Sequence, residues 1–350
     1  MHSNYRVAVT GVHIASAPKS GAAVIKELAH HPDITAVALA DYSQNCALGW
    51  EDYVQSVFSV PQAVLGSAPL AERILDIHSA IGIDCLIPCD DEDVGAVAET
   101  QDMLAAGGIS LLLSETNAIH SVAKENIHST LSHVNVASPR QTVIADETAL
   151  EHVAVDRPVV VKGRLIQAYF ARDTSEAKAF ATRLADIWGF PIILQEWVDG
   201  AEYTVTAVAD RDNEIRGICA LRKMGISSQG KTWMAVTIDA APWECIVSSI
   251  VRGLGWVGPL EVEFICDPSG HNPTVIEVNP RFPAWIAVSR HAGADLVRLV
   301  VDLALGKSPD RKLSARPGVC FVRTYETTSF PIENMASLFS RGEVTFTHSN

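Results

Sequence analysis

The chain has no uninterrupted apolar run approaching the roughly 18 residues that a membrane-spanning helix needs. Its amino terminus also lacks a basic segment followed by a long apolar one. A soluble, cytoplasmic protein with no membrane partner is therefore expected. Paired cysteines are missing too. The seven cysteines, at 46, 85, 89, 219, 245, 266 and 320, are odd in number, and only Cys85 and Cys89 lie close together, in an apolar strand-like run. Without a second ligand pair at zinc spacing they read as reduced, buried thiols. Positive charge is scarce: 27 Lys and Arg against 41 Asp and Glu give −14. Such a field repels nucleic acid and anionic lipid, so a bound nucleotide would need a local cationic site. The first strand and turn, Thr10 to Gly21, lack the G-x-G-x-x-G spacing, which disfavours a dinucleotide-dependent dehydrogenase. Disorder is excluded by composition, with 48% hydrophobic and 19% charged residues.

What is present is an alternation of short β-branched runs and helical patterns over 350 residues, enough for roughly two domains or three small ones. Residues 1–115 read as an open α/β unit. Its strands are expected at Arg6–Gly11, Thr35–Asp41, Asp84–Cys89 and Ser110–Leu113, and its helices at Ala22–His30, Leu70–Ile81 and Val94–Ala106. Residues 116–195 follow with a helix over Ser121–Leu131, strands at Thr142–Ile144 and Pro158–Lys162, a helix over Ser175–Ile187 and a strand at Ile192–Glu196. Residues 196–310 begin with an alternating, antiparallel run after Gly200, then a helix over Pro242–Leu254 and strands at Leu260–Cys266 and Pro273–Asn279. Residues 311–350 form an extension with one short strand near Val319–Arg323.

Chemistry concentrates in Gly258-Pro-Leu-Glu-Val-Glu-Phe264 and Thr274-Val-Ile-Glu-Val-Asn-Pro-Arg-Phe282. Alternate residues of a strand share a face. If the turn Asp267–Gly270 folds one strand onto the other, Glu263, Glu277 and Asn279 meet as an all-oxygen set suited to Mg²⁺ with phosphates completing the shell. Arg281 can add a cation there. The competing reading is a solvated face of ordinary ion pairs, and the apolar flanks weigh against unpaired carboxylates. Lys162 closes a buried valine strand and needs an anion or a route to water. Lys124 stands on a helix beside Glu125, where a solvated face would suffice. Asp41, His13 and the acidic run Asp90–Asp93 lie at strand ends where open α/β sheets place ligands, but helix capping explains the aspartates as well.

A lysine helix, a Val-Val-Val-Lys strand, Gln195-Glu-Trp-Val198 with Gly200 and Glu202, and Glu-x-Phe followed by Ile-Glu-Val-Asn-Pro-Arg281 together resemble the ATP-grasp superfamily. The likeness runs to about residue 310, with residues 1–115 similar to the Rossmann-like pre-ATP-grasp domain of carbamoyl-phosphate-synthase-like ligases. It implies a mixed α/β and α+β protein whose two ATP-grasp lobes hold ATP between them. By this resemblance Lys124 and Lys162 bind ATP phosphates, Gln195, Glu196, Trp197 and Val198 bind adenine, and Glu202 binds ribose. Glu263, Glu277 and Asn279 hold Mg²⁺ or Mn²⁺, and Arg281 stabilises the phosphoryl group in transfer. The implied activity joins a small carboxylate to an amine through an acyl phosphate, on an amino acid, a peptide or another small molecule. Carboxylation with bicarbonate and a non-catalytic ATP-binding regulator are the alternatives. The family's glycine-rich loop after Lys162 is shortened to Gly163–Ala168, with Arg164 as a compensating cation. The loop Arg222–Lys231 is a candidate lid or a plain hairpin, with Arg222 offered to substrate and Lys231 to catalysis. Trp285, Arg290 and His291 are substrate candidates, although Trp285 is as readily a core residue. A homodimer through the amino-terminal domain would suit this organisation.

Overall fold

The computed structural model describes residues 4–12, 19–41, 52–163, 167–226, 232–267, 272–324 and 329–346. His13, Cys46, Arg164, Lys231 and most of the turn after Asp267 lie outside the described residues. Among the described residues no helix is long and apolar enough to cross a membrane.

The first unit comprises β1 (Tyr5–Val9), α1 (Ser20–Leu28), β2 (Ile34–Asp41), β3 (Ser56–Val60), α2 (Ser67–Ile81), β4 (Cys85–Ile87), α3 (Asp91–Glu99) and α4 (Gln101–Ala106). β1 lies between β2 and β4, parallel to both, with Val7 beside Ala36 and Cys85. Strand order reverses at β1, which opens a crevice between the carboxyl ends of β1 and β4. α1 starts tight against that crevice, because a Cβ on Gly21 would lie 2.2 Å from the Thr10 carbonyl oxygen. β3 escapes a periodicity search since all five residues are buried, leaving no alternation to detect. The single helix expected over Val94–Ala106 is two, divided at Thr100, whose hydroxyl bonds back to the Ala96 carbonyl at 2.9 Å. Ser110–Leu113 makes only an isolated bridge, Ser110 to Cys85, instead of a strand.

The second unit comprises α5 (Thr116–Ser121), α6 (Ile127–His133), β5 (Gln141–Ile144), α7 (Glu147–Glu151), β6 (Val159–Lys162), β7 (Ala168–Ala171), α8 (Thr174–Trp188) and β8 (Ile192–Glu196). The helix expected to carry Lys124 is broken there. Gln141 donates to the carbonyls of Lys124 and Glu125, both at 3.0 Å, and satisfies in a turn what a continuous helix would have satisfied itself. The sheet runs β5-β8-β6-β7 with every neighbour antiparallel. Period-2 alternation divides its faces. Val159, Val161, Ile192 and Leu194 pack on Ala177, Ala181 and Leu184 of α8, while Val160, Lys162, Ile193 and Gln195 turn to the other side. Burying Leu184 alone contributes about 2 kcal/mol. α8 is started by Asp173, which accepts from the Glu176 amide at 2.9 Å, and is stopped by Gly189 at φ 72°.

The third unit comprises β9 (Ala201–Ala209), β10 (Ile215–Ile226), β11 (Thr232–Ile238), α9 (Ala241–Leu254), β12 (Gly258–Cys266), β13 (Thr274–Asn279), α10 (Ala287–His291), α11 (Leu296–Ala304), β14 (Leu313–Ser314) and β15 (Cys320–Val322). The sheet order is β13-β12-β9-β10-β11-β15, with β14 beside β10. One face, with Val205, Ala207, Ile218, Val262 and Phe264, packs on α9. The other is apolar where Val208, Cys219 and Leu221 meet Trp285, Leu296 and Val300, and polar beyond them. The chain then forms α12 (Ile332–Arg341) and β16 (Glu343–Thr345), and β16 pairs antiparallel with β3. Residues 311–350 thus supply strands to both large sheets instead of standing apart.

Candidate active site

The polar half of the large sheet's face is built by register. In the antiparallel pair β12 and β13, Glu263 lies opposite Glu277 and Glu261 opposite Asn279, so all four project the same way. The three expected oxygen donors, Glu263, Glu277 and Asn279, therefore share one patch. Glu261 beside them is buried. It accepts from the Trp285 indole at 2.9 Å, the Thr204 hydroxyl at 2.9 Å and the Asn279 amide nitrogen at 3.1 Å. Burial pushes its carboxyl up to about 7, Glu263 adds to the rise, and Arg281, Lys223 and the Trp285 N–H oppose it. Glu263 is bonded by Lys223 Nζ at 2.7 Å, and the same ammonium reaches Glu202 at 3.0 Å. Lys223 retains only 2% of its side-chain exposure. Burial works against its charge, but Glu263 and Glu202 outweigh it and hold the pKa above the usual lysine range.

Glu277 stands between two further lysines, with Lys124 Nζ and Lys162 Nζ each 3.9 Å from its carboxylate. These residues line a crevice between the two sheets together with Gln141, Ile193 and Gln195. Lys162 and Gln195 both donate to the Ile276 carbonyl, at 3.5 and 3.2 Å, which joins the smaller sheet to β13. Burial holds the Lys162 pKa below its ordinary value against the pull of Glu277.

The strand exit after β8 divides its groups. Gln195 is buried and faces the crevice, whereas Glu196 is tied on the other side to Arg157 at 2.7 Å and Arg140 at 3.1 Å. Those two arginines hold its carboxyl below the usual range, Arg140 foremost. The amides of Glu196 and Trp197 already donate to the carbonyls of Arg140 and Pro158. Trp197 is exposed and stands edge-on to Phe170, centroids 4.8 Å apart. Val198 follows and is half-buried. Gly200 is required here, since a Cβ would come within 1.9 Å of the Cys266 carbonyl oxygen.

Other expected residues are placed differently. Arg281 is two residues past β13, and its Nε lies 2.7 Å from Asp91 of the first unit. Trp285 is buried with its N–H on Glu261. Arg290 bonds Glu27 of α1 at 2.6 Å, away from the carboxylate patch, and His291 is exposed. Arg222 is exposed and pairs with Tyr203, on the face that α9 covers, because Arg222 and Lys223 are consecutive strand residues and take opposite faces. The segment from Arg222 to Ile226 is β10 and not loop.

Three residues of the patch were missed from sequence. Lys223 was legible in the alternation Cys219, Leu221, Lys223 once β10 was seen to extend that far. Glu261 shares the parity of Glu263. Arg323 had no local signal. It lies beyond β15 with its amide on the Trp233 carbonyl at 3.0 Å, and by strand parity it shares the face of Phe321, Ala235 and Lys223. Its Nε is buried without a hydrogen-bond partner among the described residues, and burial lowers its pKa while Glu261 opposes the drop.

At the domain crevice, Asp90 caps α3 and accepts from Lys19 at 2.6 Å. Asp93 is pushed by burial up to about 7, Thr10 pulling it back by a hydrogen bond and Asp90, Asp41 and Glu92 adding to the rise. A carboxyl raised in the folded state contributes stability at low pH that is lost as pH rises from the unfolded value toward 7. Asp93→Asn is expected to be no more stable than the parent near pH 4 and more stable above pH 7. Thermal unfolding across pH 4–8 checks this, and a difference independent of pH would refute it.

The donor set fits a hard divalent cation. Glu263 and Glu277 bring carboxylate oxygens, and Asn279, whose amide nitrogen is spent on Glu261, has its Oδ1 for a metal. Among the described residues no group of three or more His, Cys, Asp or Glu forms a cage.

Residues 190–327 match the family model described as ATP-grasp in the biosynthetic pathway with Ter operon. The chain is 24% identical to the carbamoyl phosphate synthase large chain of Clostridium acetobutylicum, over 59% of this chain and 21% of that protein. It is 27% identical to phosphoribosylamine–glycine ligase of Mycobacterium tuberculosis, over 75% of this chain and 63% of that one. The chain thus spans less than two thirds of the length of these relatives. Among solved structures, an L-amino acid ligase from Bacillus licheniformis is similar with a TM-score of 0.65 at 16% identity, over 87% of this chain and 74% of that one. An ADP complex of N5-carboxyaminoimidazole ribonucleotide synthetase is similar with a TM-score of 0.69 at 11% identity, over 96% and 84%.

Proposed function

We propose that this chain, whose fold is similar to that of solved ligases and whose residues 190–327 match an ATP-grasp family model, is an ATP-dependent carboxylate–amine ligase acting on small molecules. One observation carries the reading: Glu263, Glu277 and Asn279 share a patch, with Lys124 and Lys162 each 3.9 Å from Glu277. Cations and oxygen donors meet there, which is what a polyphosphate chain with its metal requires.

In this reading Lys124 and Lys162 hold the phosphates. Gln195 lines the adenine pocket with Val198, and Glu196 and Trp197 shape the hinge without offering their amides. Glu202 reaches the ribose, which requires Lys223 to remain on Glu263 alone. Glu263, Glu277 and Asn279 would hold Mg²⁺ or Mn²⁺, which when bound neutralises phosphate charge. A carboxylate oxygen of the acid attacks the γ-phosphorus, the bond to the β-phosphate oxygen breaks, and ADP leaves. The amine then attacks the acyl carbon, inorganic phosphate departs with the former carboxylate oxygen, and the amine gives up a proton. Arg281 stabilises charge on the phosphoryl group. Arg164 and Lys231, outside the described residues, are proposed as further cations on the strength of the sequence alone.

The acid's own second charge or polar group has a place to go. Arg323 lies on the same face, desolvated and with its Nε unspent, beside Phe321 and Trp233. Arg323→Met is expected to raise KM for the acid about tenfold or more with KM for ATP unchanged, as the loss of one charge-assisted bond implies. Equal effects on both would refute that assignment.

The reading is tested by incubating the protein with ATP, Mg²⁺, hydroxylamine and a panel of small carboxylic acids. A hydroxamate formed in step with ADP supports it. ATP binding without phosphate transfer for every acid would favour a regulator, and ADP formation with bicarbonate alone would favour a carboxylase.

A further inference from the structure

We propose that Asp91, from the amino-terminal domain, is a positioning residue for Arg281, holding its guanidinium at the edge of the reaction face; the role assigned to Arg281 rests on the ligase reading. Arg281 keeps the parity of Glu277 and Asn279, but β13 has ended and Pro280 precedes it, so no strand ladder fixes its side chain. Asp91 does so instead. Arg281 Nε lies 2.7 Å from Asp91 Oδ1 as an ion pair, and Nη2 donates to Oδ2 at 3.3 Å, so one edge of the guanidinium is held against the carboxylate. Nη1 makes two longer contacts, 3.4 Å to the Ser20 hydroxyl and 3.3 Å to the Phe282 carbonyl. Ser20 begins α1 and Asp91 begins α3, so both partners come from the rim of the first sheet's crevice.

The neighbouring carboxylates are otherwise engaged. Asp90 caps α3 and holds Lys19, and Asp93 bonds Thr10. Asp91 is the member of the run that reaches across to Arg281. Docking of the first unit has its own ties: Arg290 to Glu27 at 2.6 Å and Arg298 to Asp33 at 2.8 Å. The Asp91 contact can therefore be removed without undocking the domain. A guanidinium displaced by about an ångström is enough to cost up to a hundredfold in a positioned reaction.

Asp91→Asn keeps the volume and loses the charge. It is expected to lower kcat for acid-dependent ADP formation about 10- to 100-fold with KM for ATP within about twofold, and Asp91→Glu is expected to recover part of the loss. Glu27→Gln, at the separate tie, is expected to lower thermal stability and leave kcat unchanged. An unaltered kcat in Asp91→Asn, or equal kcat losses in Asp91→Asn and Glu27→Gln, would overturn the proposal. The Arg281 Nη2 resonance in ¹⁵N-labelled protein reads the contact without turnover. It should be protected from solvent exchange in the parent and exchange rapidly in Asp91→Asn, and equal exchange in both would also overturn it. If no acid is turned over by the parent, the ligase reading fails while this resonance still decides whether Asp91 holds Arg281.

Discussion

Glu277→Gln is expected to cut acid-dependent ADP formation by about a thousandfold or more, equivalent to about 4 kcal/mol of barrier. Glutamine keeps the shape and a carbonyl oxygen, so the change isolates charge. Glu277 is the point at which Lys124, Lys162 and the prospective metal position meet, and neutralising it removes a ligand charge while leaving two ammonium groups facing each other across the crevice. Its side chain retains 25% exposure and the lysines can turn to water, so the fold should remain intact. Steady-state ADP release with unfolding curves alongside checks both parts. Turnover near the parent rate would remove Glu277 from the machinery and take the metal assignment with it.

A second large effect, on stability, is expected at Lys223. Lys223→Met removes a buried ammonium that neutralises two carboxylates, Glu202 at 3.0 Å and Glu263 at 2.7 Å. Breaking a fully buried pair costs about 3–5 kcal/mol; both partners here keep some solvent, which reduces the expected loss to about 2–3 kcal/mol. The pH dependence has a definite sign. In the parent, the pKa of Lys223 is raised in the folded state, so its contribution is present below the ordinary lysine pKa and lost only as pH rises through the folded value. In the variant the two carboxylates repel each other whenever both are ionised, so the stability lost relative to the parent should be larger at neutral pH than in acid. Millimolar Mg²⁺ should recover more stability in the variant than in the parent, since a divalent cation can replace the lost charge. Denaturant unfolding at several pH values, with and without Mg²⁺, decides it, and a loss under about 0.5 kcal/mol would show that the lysine is dispensable.

These residues also mark how far the sequence could be read. Glu263, Glu277 and Asn279 were legible because a strand's period of two is rigid, and a pair of neighbouring strands needs only a turn to oppose them. Lys162 was legible as a lone lysine closing a valine strand, and Gln195 only as part of a strand exit. Lys124 was read on a helix because its surroundings are helix-compatible; the side chain that interrupts the helix, Gln141, comes from another element. Arg222 and Lys223 were grouped as loop cations because Gly225 and Gly230 suggested a loop, whereas pairing with β11 carries the strand through to Ile226. Arg281 and Arg290 were legible as cations following the carboxylate strand, but their partners, Asp91 and Glu27, lie more than 180 residues away in the chain and were not. Contacts of that reach leave no local pattern.

The return of β16 to β3 has a practical meaning for anyone handling the protein. The two strands close the first sheet's margin with Val344 beside Val57. Trimming the chain before α12 would uncover a ready-made template of backbone donors and acceptors, with Phe58 at its centre. Such a shortened protein is expected to self-associate through that bare margin even if the two other units fold correctly.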